Sequence, residues 1–173
     1  ETGEAFFRSL VGQLSRVLGA DVAFAGEIDP ANPDSVRVIA LAVDHEPAAA
    51  YTFALAGTPS EAVMAGSAGV VASGAAQRFP EDGELARLGV EAVVGAPLLD
   101  AQGRPLGVLS VLFRRPLEDA GIAENLIRIF AARASGELQR GQDLRELERA
   151  AHVDALTGLP NRLQLEKRLH TQL

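Results

Sequence analysis

Three histidines, an absence of cysteine and a handful of hydroxyls set the limits of the chemistry open to this chain. His45, His152 and His170 are the whole histidine complement. No Ser-His-Asp spacing, zinc motif or phosphate-binding glycine loop accompanies them. Without cysteine there is no thiolate nucleophile, no thiolate metal ligand, no redox couple and no anchor for a thioether-linked chromophore. A haem would need an axial ligand, and His45, set between Asp44 and Glu46, reads as an exposed loop residue instead. No catalytic group, metal or cofactor is therefore expected. If a small-molecule pocket exists, it is expected between a sheet and the lateral helices, where the irregular middle segment closes over one sheet face, with Tyr51, Thr58, Ser60 and Phe79 as its candidate residues. Each also has a purely structural use: Thr58 as a helix cap, Phe79 in the core, Tyr51 packed with its hydroxyl at the surface. No basic cluster converges on this region, so a nucleotide phosphate would find few partners.

The elements that must position these residues can be read from periodicity. Phe7, Leu10, Val11, Leu14, Val17 and Leu18 recur at three- and four-residue spacing and predict a helix ending at Gly19. Residues 22–28 and 35–43 are rich in Val, Ile and Ala, and the loop Asp29-Pro30-Ala31-Asn32-Pro33-Asp34 joins them as a hairpin. A short strand follows at Tyr51 to Leu55. Thr58 then caps a brief helix with Pro59 at its first position, ending near Gly66. Residues 67–89 suggest one or two short helices around a short strand. The clearest signal is the pair of apolar runs Ala92 to Leu99 and Leu106 to Phe113, joined by a polar turn. Their lack of polar residues predicts central strands buried on both faces, with helices covering one side.

From Glu118 to about Val153 runs a long helical pattern with apolar positions at Ile122, Leu126, Ile129, Phe130, Leu138, Leu144 and Leu147. Its first half, rich in apolar and Ala positions, can lie against the domain. Its second half, from Glu137, is charge-dense with a thin leucine seam, which is stable only beside a partner helix. Leu138, Leu144 and Leu147 are the expected seam, and removal of Leu138 to Val153 is expected to abolish dimerisation. Gly136 and Gly141 weaken this helix by about 1 kcal/mol each relative to Ala.

Composition agrees with a soluble fold. The chain has 173 residues, 47% hydrophobic and 23% charged, enough for about one domain plus appendages. Its net charge of −7 repels a phosphate backbone, so nucleic acid is not an expected partner. No apolar run reaches the roughly 20 residues of a membrane span, and a cytoplasmic location is the default expectation.

Two family resemblances organise these observations. The order helix, hairpin, short strand, lateral helices, long hairpin, exit helix resembles a GAF domain, the small-molecule-sensing α+β module of bacterial signalling proteins. The residues that carry it are Gly57-Thr58-Pro59-Ser60-Glu61, Arg78-Phe79-Pro80-Glu81-Asp82, Gly95-Ala96-Pro97-Leu98 and Gly103-Arg104-Pro105-Leu106-Gly107-Val108-Leu109. The resemblance implies an antiparallel sheet of five to six strands flanked by helices, followed by a long C-terminal linker helix. Many relatives carry Cys where this chain has Ser60, and the Asn-Lys-Phe-Asp-Glu pattern of the cyclic-nucleotide-binding type does not occur. Further on, Asp154-Ala155-Leu156-Thr157-Gly158-Leu159-Pro160-Asn161-Arg162 resembles the opening of a GGDEF domain, the diguanylate cyclase module. In that family the signature loop, metal-binding carboxylates and nucleotide-binding residues come later, beyond Leu173, so this chain is expected to cyclise nothing itself.

The combined expectation has three segments: a sensory domain at 1–136, a signalling helix at 137–153 and the start of a GGDEF domain at 154–173. The resemblance implies a homodimer formed through the C-terminal helix, which passes a ligand-dependent signal to a cyclic-di-GMP output domain. Two alternatives stand beside it. One is a ligand-free dimerisation scaffold whose core its own side chains fill. The other is a regulator of a degenerate GGDEF domain fused to a phosphodiesterase.

Overall fold

A computed structural model describes residues 3–66 and 69–152. Contacts divide the chain into two compact units, Glu1–Leu138 and Gln139–Leu173. Leu138 is buried in the first unit's core.

In the first unit, α1 (Gly3–Leu18) precedes β1 (Val22–Asp29), β2 (Asn32–Val43), β3 (Glu46–Pro47) and β4 (Thr52–Ala54). Then come α2 (Pro59–Met64), β5 (Val70–Val71), α3 (Ala75–Arg78), α4 (Gly83–Leu88), β6 (Ala92–Leu99), β7 (Pro105–Phe113) and the start of α5 (Gly121–His152). The strands form one antiparallel sheet in the order β3-β2-β1-β7-β6-β5, with β4 also paired to β2. This is the expected α+β architecture with a seventh strand, β3. Sequence gave no warning of β3, because its turn uses Asp44 and His45, both at positive φ, where glycine or asparagine would ordinarily signal a hairpin. The first hairpin is also tighter than expected. Asp29 pairs with Asn32, and the Asp29 carboxylate accepts the Ala31 N–H at 3.0 Å.

Strand alternation sorts the sheet into two faces. On one face lie Ala23, Ala25, Ala40, Ala42, Ala92, Val94 and Ala96, against α1 and α5. These small side chains let the helices approach closely, and Phe7, Leu10, Val11 and Leu14 of α1 fill the space between. Val17, expected on that face, is exposed. The helix α5 contributes Ala123, Ile127, Ala131, Ala134 and Leu138, so an alanine-rich stripe is buried while Ile122 and Ile129 are exposed. Close packing against an alanine-lined sheet selects small side chains. The opposite face is covered by α2, α3 and α4. Helices therefore cover both faces of the sheet rather than one.

Candidate functional site

The sheet face under α2 and α4 carries the even-numbered residues of β1 and β7. The register pairs Val22 with Leu112 and Phe24 with Ser110, and the alternation that sends Leu109, Val111 and Phe113 to the α1/α5 core sends Ser110 and Leu112 the other way. The helices do not fill this face. A cavity of about 310 Å³ remains, within the size range of small-molecule sites.

An aromatic wall forms one side. Phe24 and Phe53 meet edge to face with ring centroids 5.8 Å apart, and Tyr51 lies 6.2 Å from Phe53. Val93, Leu85 and Leu112 extend the apolar surface. Two hydroxyls interrupt it. Ser60 is 4% exposed and Ser110 2%, and neither hydroxyl bonds to another described residue. No enclosed side-chain polar atom among the described residues lacks a partner. Both hydroxyls therefore open into the cavity they line, where a ligand or water can satisfy them.

The helices beneath and beside the cavity are fixed by their caps. At α2 the Thr58 hydroxyl donates to the Leu55 carbonyl at 2.7 Å and accepts from the Glu61 N–H. Glu61 in turn accepts the Gly57 N–H at 2.8 Å. With Pro59 at the first helical position, this sets Ser60 facing inward. At α4 the Asp82 carboxylate accepts the Glu84 N–H, and Gly89 closes the helix in the left-handed conformation.

The mouth is acidic. Glu81, Asp82 and Glu84 line it together with Arg87. Arg87 grips Glu84 through three hydrogen bonds, at 3.0, 3.1 and 2.6 Å, which holds Glu84 below the ordinary carboxylate range. Asp82 behaves oppositely. Burial pushes its carboxyl upward, against the backbone hydrogen bonds from Glu84 and Leu85, and the Glu84 charge adds to the rise. Tyr51 is raised by burial first, then by Glu84 and Asp82, with Arg87 opposing.

Of the four residues proposed from sequence to contact a ligand, Tyr51, Thr58 and Ser60 line the cavity. Phe79 does not. It packs against the cluster of Val71, Ala75 and Leu85, with the Arg78 guanidinium 5.8 Å from its ring centroid. Sequence reasoning missed Ser110, though it is the lone hydroxyl within the apolar run Leu106 to Phe113. It also missed the acidic mouth, whose helix start was legible in Asp82-Gly83-Glu84. His45 is exposed, as expected, and its ring lies 2.9 Å from the Ser15 hydroxyl. That hydroxyl also reaches the Ala20 carbonyl, so with its proton committed there, Nδ1 is the donor. Among the described residues no cluster of metal-ligating side chains occurs.

The second unit contributes the end of α5. Leu144 and Leu147 are 55% and 66% exposed, while Leu138, grouped with them from sequence, belongs to the first unit's core. The run Asp154, Leu156, Thr157, Gly158, Leu159, Asn161 and Arg162 lies outside the described residues.

A sheet with helices on both faces, enclosing an apolar cavity with buried hydroxyls, defines a sensor-type α+β domain. The GAF domain family matches residues 2–138, and the chain belongs to it. Solved structures similar to it include the GAF domain of an Acinetobacter phosphoenolpyruvate-protein phosphotransferase, at 16% identity and a TM-score of 0.64, covering 84% of this chain and 87% of that one. The blue-light absorbing form of the Thermosynechococcus elongatus PixJ GAF domain is 19% identical with a TM-score of 0.63, covering 86% and 91%. The second GAF domain of DevS from Mycobacterium smegmatis is 17% identical with a TM-score of 0.60, covering 84% and 99%. No curated protein matches the chain. At these identities the likeness establishes the fold.

Proposed function

We propose that this chain is the sensory part of a cytoplasmic cyclic-di-GMP signalling protein, a diguanylate cyclase. A small molecule in the cavity shifts the pairing of two α5 helices in a homodimer, and the shift reaches a GGDEF output domain that begins at Asp154. The cavity is the observation that carries this reading. A scaffold would fill its core, whereas here about 310 Å³ stays open beside two buried hydroxyls without partners among the described residues.

The transmission step rests on α5. At 100° per residue, Ile122 and Ile129 fall about 145° around the helix from the buried stripe of Ala123, Ile127, Ala131 and Ala134, and Leu126 about 95°. Leu144 and Leu147 continue an apolar pattern at three- and four-residue spacing. Such a seam is stable when a second copy covers it. Two facing GGDEF domains make their product jointly in the resembled family, so the crossing of the joining helices controls output. A ligand acts only through a difference in affinity between the two arrangements. Among the described residues no helix is long and apolar enough to cross a membrane.

Native mass spectrometry of the freshly purified chain tests the reading. The expected result is a small molecule retained by the native chain and lost in Ser110→Leu, which both removes a hydroxyl and occupies the cavity. Equal masses for the native and denatured wild-type chain contradict it.

A further inference from the structure

The lining of the cavity sorts candidate ligands by shape and by charge, and its charge pattern is specific to this chain. Resting on the sensory reading above, we propose that the ligand is a compact apolar amine: a body of about two rings held in the cavity, with its ammonium group at the carboxylates of Glu81 and Asp82.

Size comes first. An apolar cavity of about 150 Å³ holds one benzene ring, and this one is close to 310 Å³, room for about two. The wall of Phe24, Phe53 and Leu112 offers a planar body edge and face contacts. Ser60 and Ser110, both more than nine-tenths buried, supply hydrogen bonds at the inner end. These hydroxyls donate as well as accept, so they suit a ring N–H or a carbonyl equally.

Charge sets the class. Four ionisable side chains besides Tyr51 line the cavity: Glu81, Asp82, Glu84 and Arg87. Arg87 and Glu84 satisfy each other, which leaves the carboxylates of Glu81 and Asp82 without a cation among the described residues. Asp82 records the consequence, since burial raises its proton affinity and no positive group offsets it. An ammonium placed there would replace lost hydration and pair with both acids. A phosphate or carboxylate would meet like charge and no free guanidinium. The aromatic wall adds a further attraction for a cation at the mouth, through Tyr51.

Three probes of one ring system test the proposal by calorimetric titration: tryptamine, indole and indole-3-propionate, which share the indole body and differ in charge. Tryptamine is expected to bind at least tenfold more tightly than indole-3-propionate, with indole between them. The variant Glu81→Gln with Asp82→Asn keeps an α4 cap and is expected to bring the three within about threefold of one another, with its folding checked by thermal melting. Equal affinities in the wild type, or tighter binding of the propionate, overturn the amine assignment and leave the sensory reading standing. Failure of all three to bind also overturns it. If the purified chain then carries no small molecule either, the sensory reading falls with it.

Discussion

Replacing Leu144 and Leu147 together by alanine isolates the part of α5 assigned to pairing. These side chains are 55% and 66% exposed in the single chain. Full burial of a leucine contributes about 1.5–3 kcal/mol, so covering the exposed fraction contributes about 1–2 kcal/mol for each. A twofold pair holds four such side chains, about 4–8 kcal/mol in all. Alanine keeps the β-carbon and forfeits most of the rest. At about 1.4 kcal/mol per tenfold, a loss of about 3–6 kcal/mol weakens the dimer by two to four orders of magnitude. Alanine is the strongest helix former, so the helix itself should persist by circular dichroism, and urea unfolding of the GAF domain should be unchanged. Sedimentation equilibrium over a thousandfold range of concentration reads the constant. A dimer constant within threefold of wild type would refute the seam.

Further consequences follow from the same geometry. Truncation after Leu138 removes Leu144 and Leu147 and should leave a folded domain whose dimer, read by sedimentation, is weakened, whereas truncation before Leu138 should cost about 2–5 kcal/mol in urea midpoint and slope, because that side chain is core. Ser60→Ala and Ser110→Ala should change stability by no more than about 1 kcal/mol, since their hydroxyls hold no bond to another described residue; a loss of 2 kcal/mol or more would show a structural role. Asp82→Asn should flatten part of the pH dependence of stability. The raised carboxyl contributes stability that is fully present below its unfolded pKa and lost as pH rises through the folded one. Asn should therefore be neutral to stabilising near pH 7, with the advantage gone below about pH 3.8, near the unperturbed aspartate value. Gly107→Ala should cost about 3 kcal/mol or more in chemical unfolding, because a β-carbon there falls on the Gly26 carbonyl and the Glu27 Cα of the adjacent strand.

The strands and helices with strong periodicity were legible from sequence. The pair 92–99 and 106–113 emerged almost as read, because a doubly buried hairpin needs unbroken apolar runs and takes a polar turn. Thr58, Pro59 and Glu61 were legible for a different reason: cap chemistry is local, and the hydrogen bonds that fix α2 lie within four residues. What sequence could not supply was which face each residue takes. Ser110 reaches the cavity through the phase of β7 relative to β1, a property of pairing across more than 80 residues. Phe79 missed the cavity because α3 and α4 are too short to show a period, so the direction of the chain between them is set by packing. In α5 the run of apolar and Ala positions did not say which of them faces the sheet, and the alanine-lined sheet selected Ala123, Ile127, Ala131 and Ala134. The mouth escaped notice because Glu81, Asp82, Glu84 and Arg87 lie on a short helix and its entry, and only the fold brings them to the cavity.

Cross-linking across the proposed dimer tests the central claim, that occupancy of the cavity alters helix pairing. The chain contains no cysteine, so Leu147→Cys introduces a single thiol per subunit, and its disulfide forms at a rate set by the distance between two copies of α5. Saturating tryptamine is predicted to change that rate at least threefold in Leu147→Cys and to leave it unchanged when Ser110→Leu is added. Identical rates with and without the amine, under conditions where calorimetry shows it bound, would contradict the account.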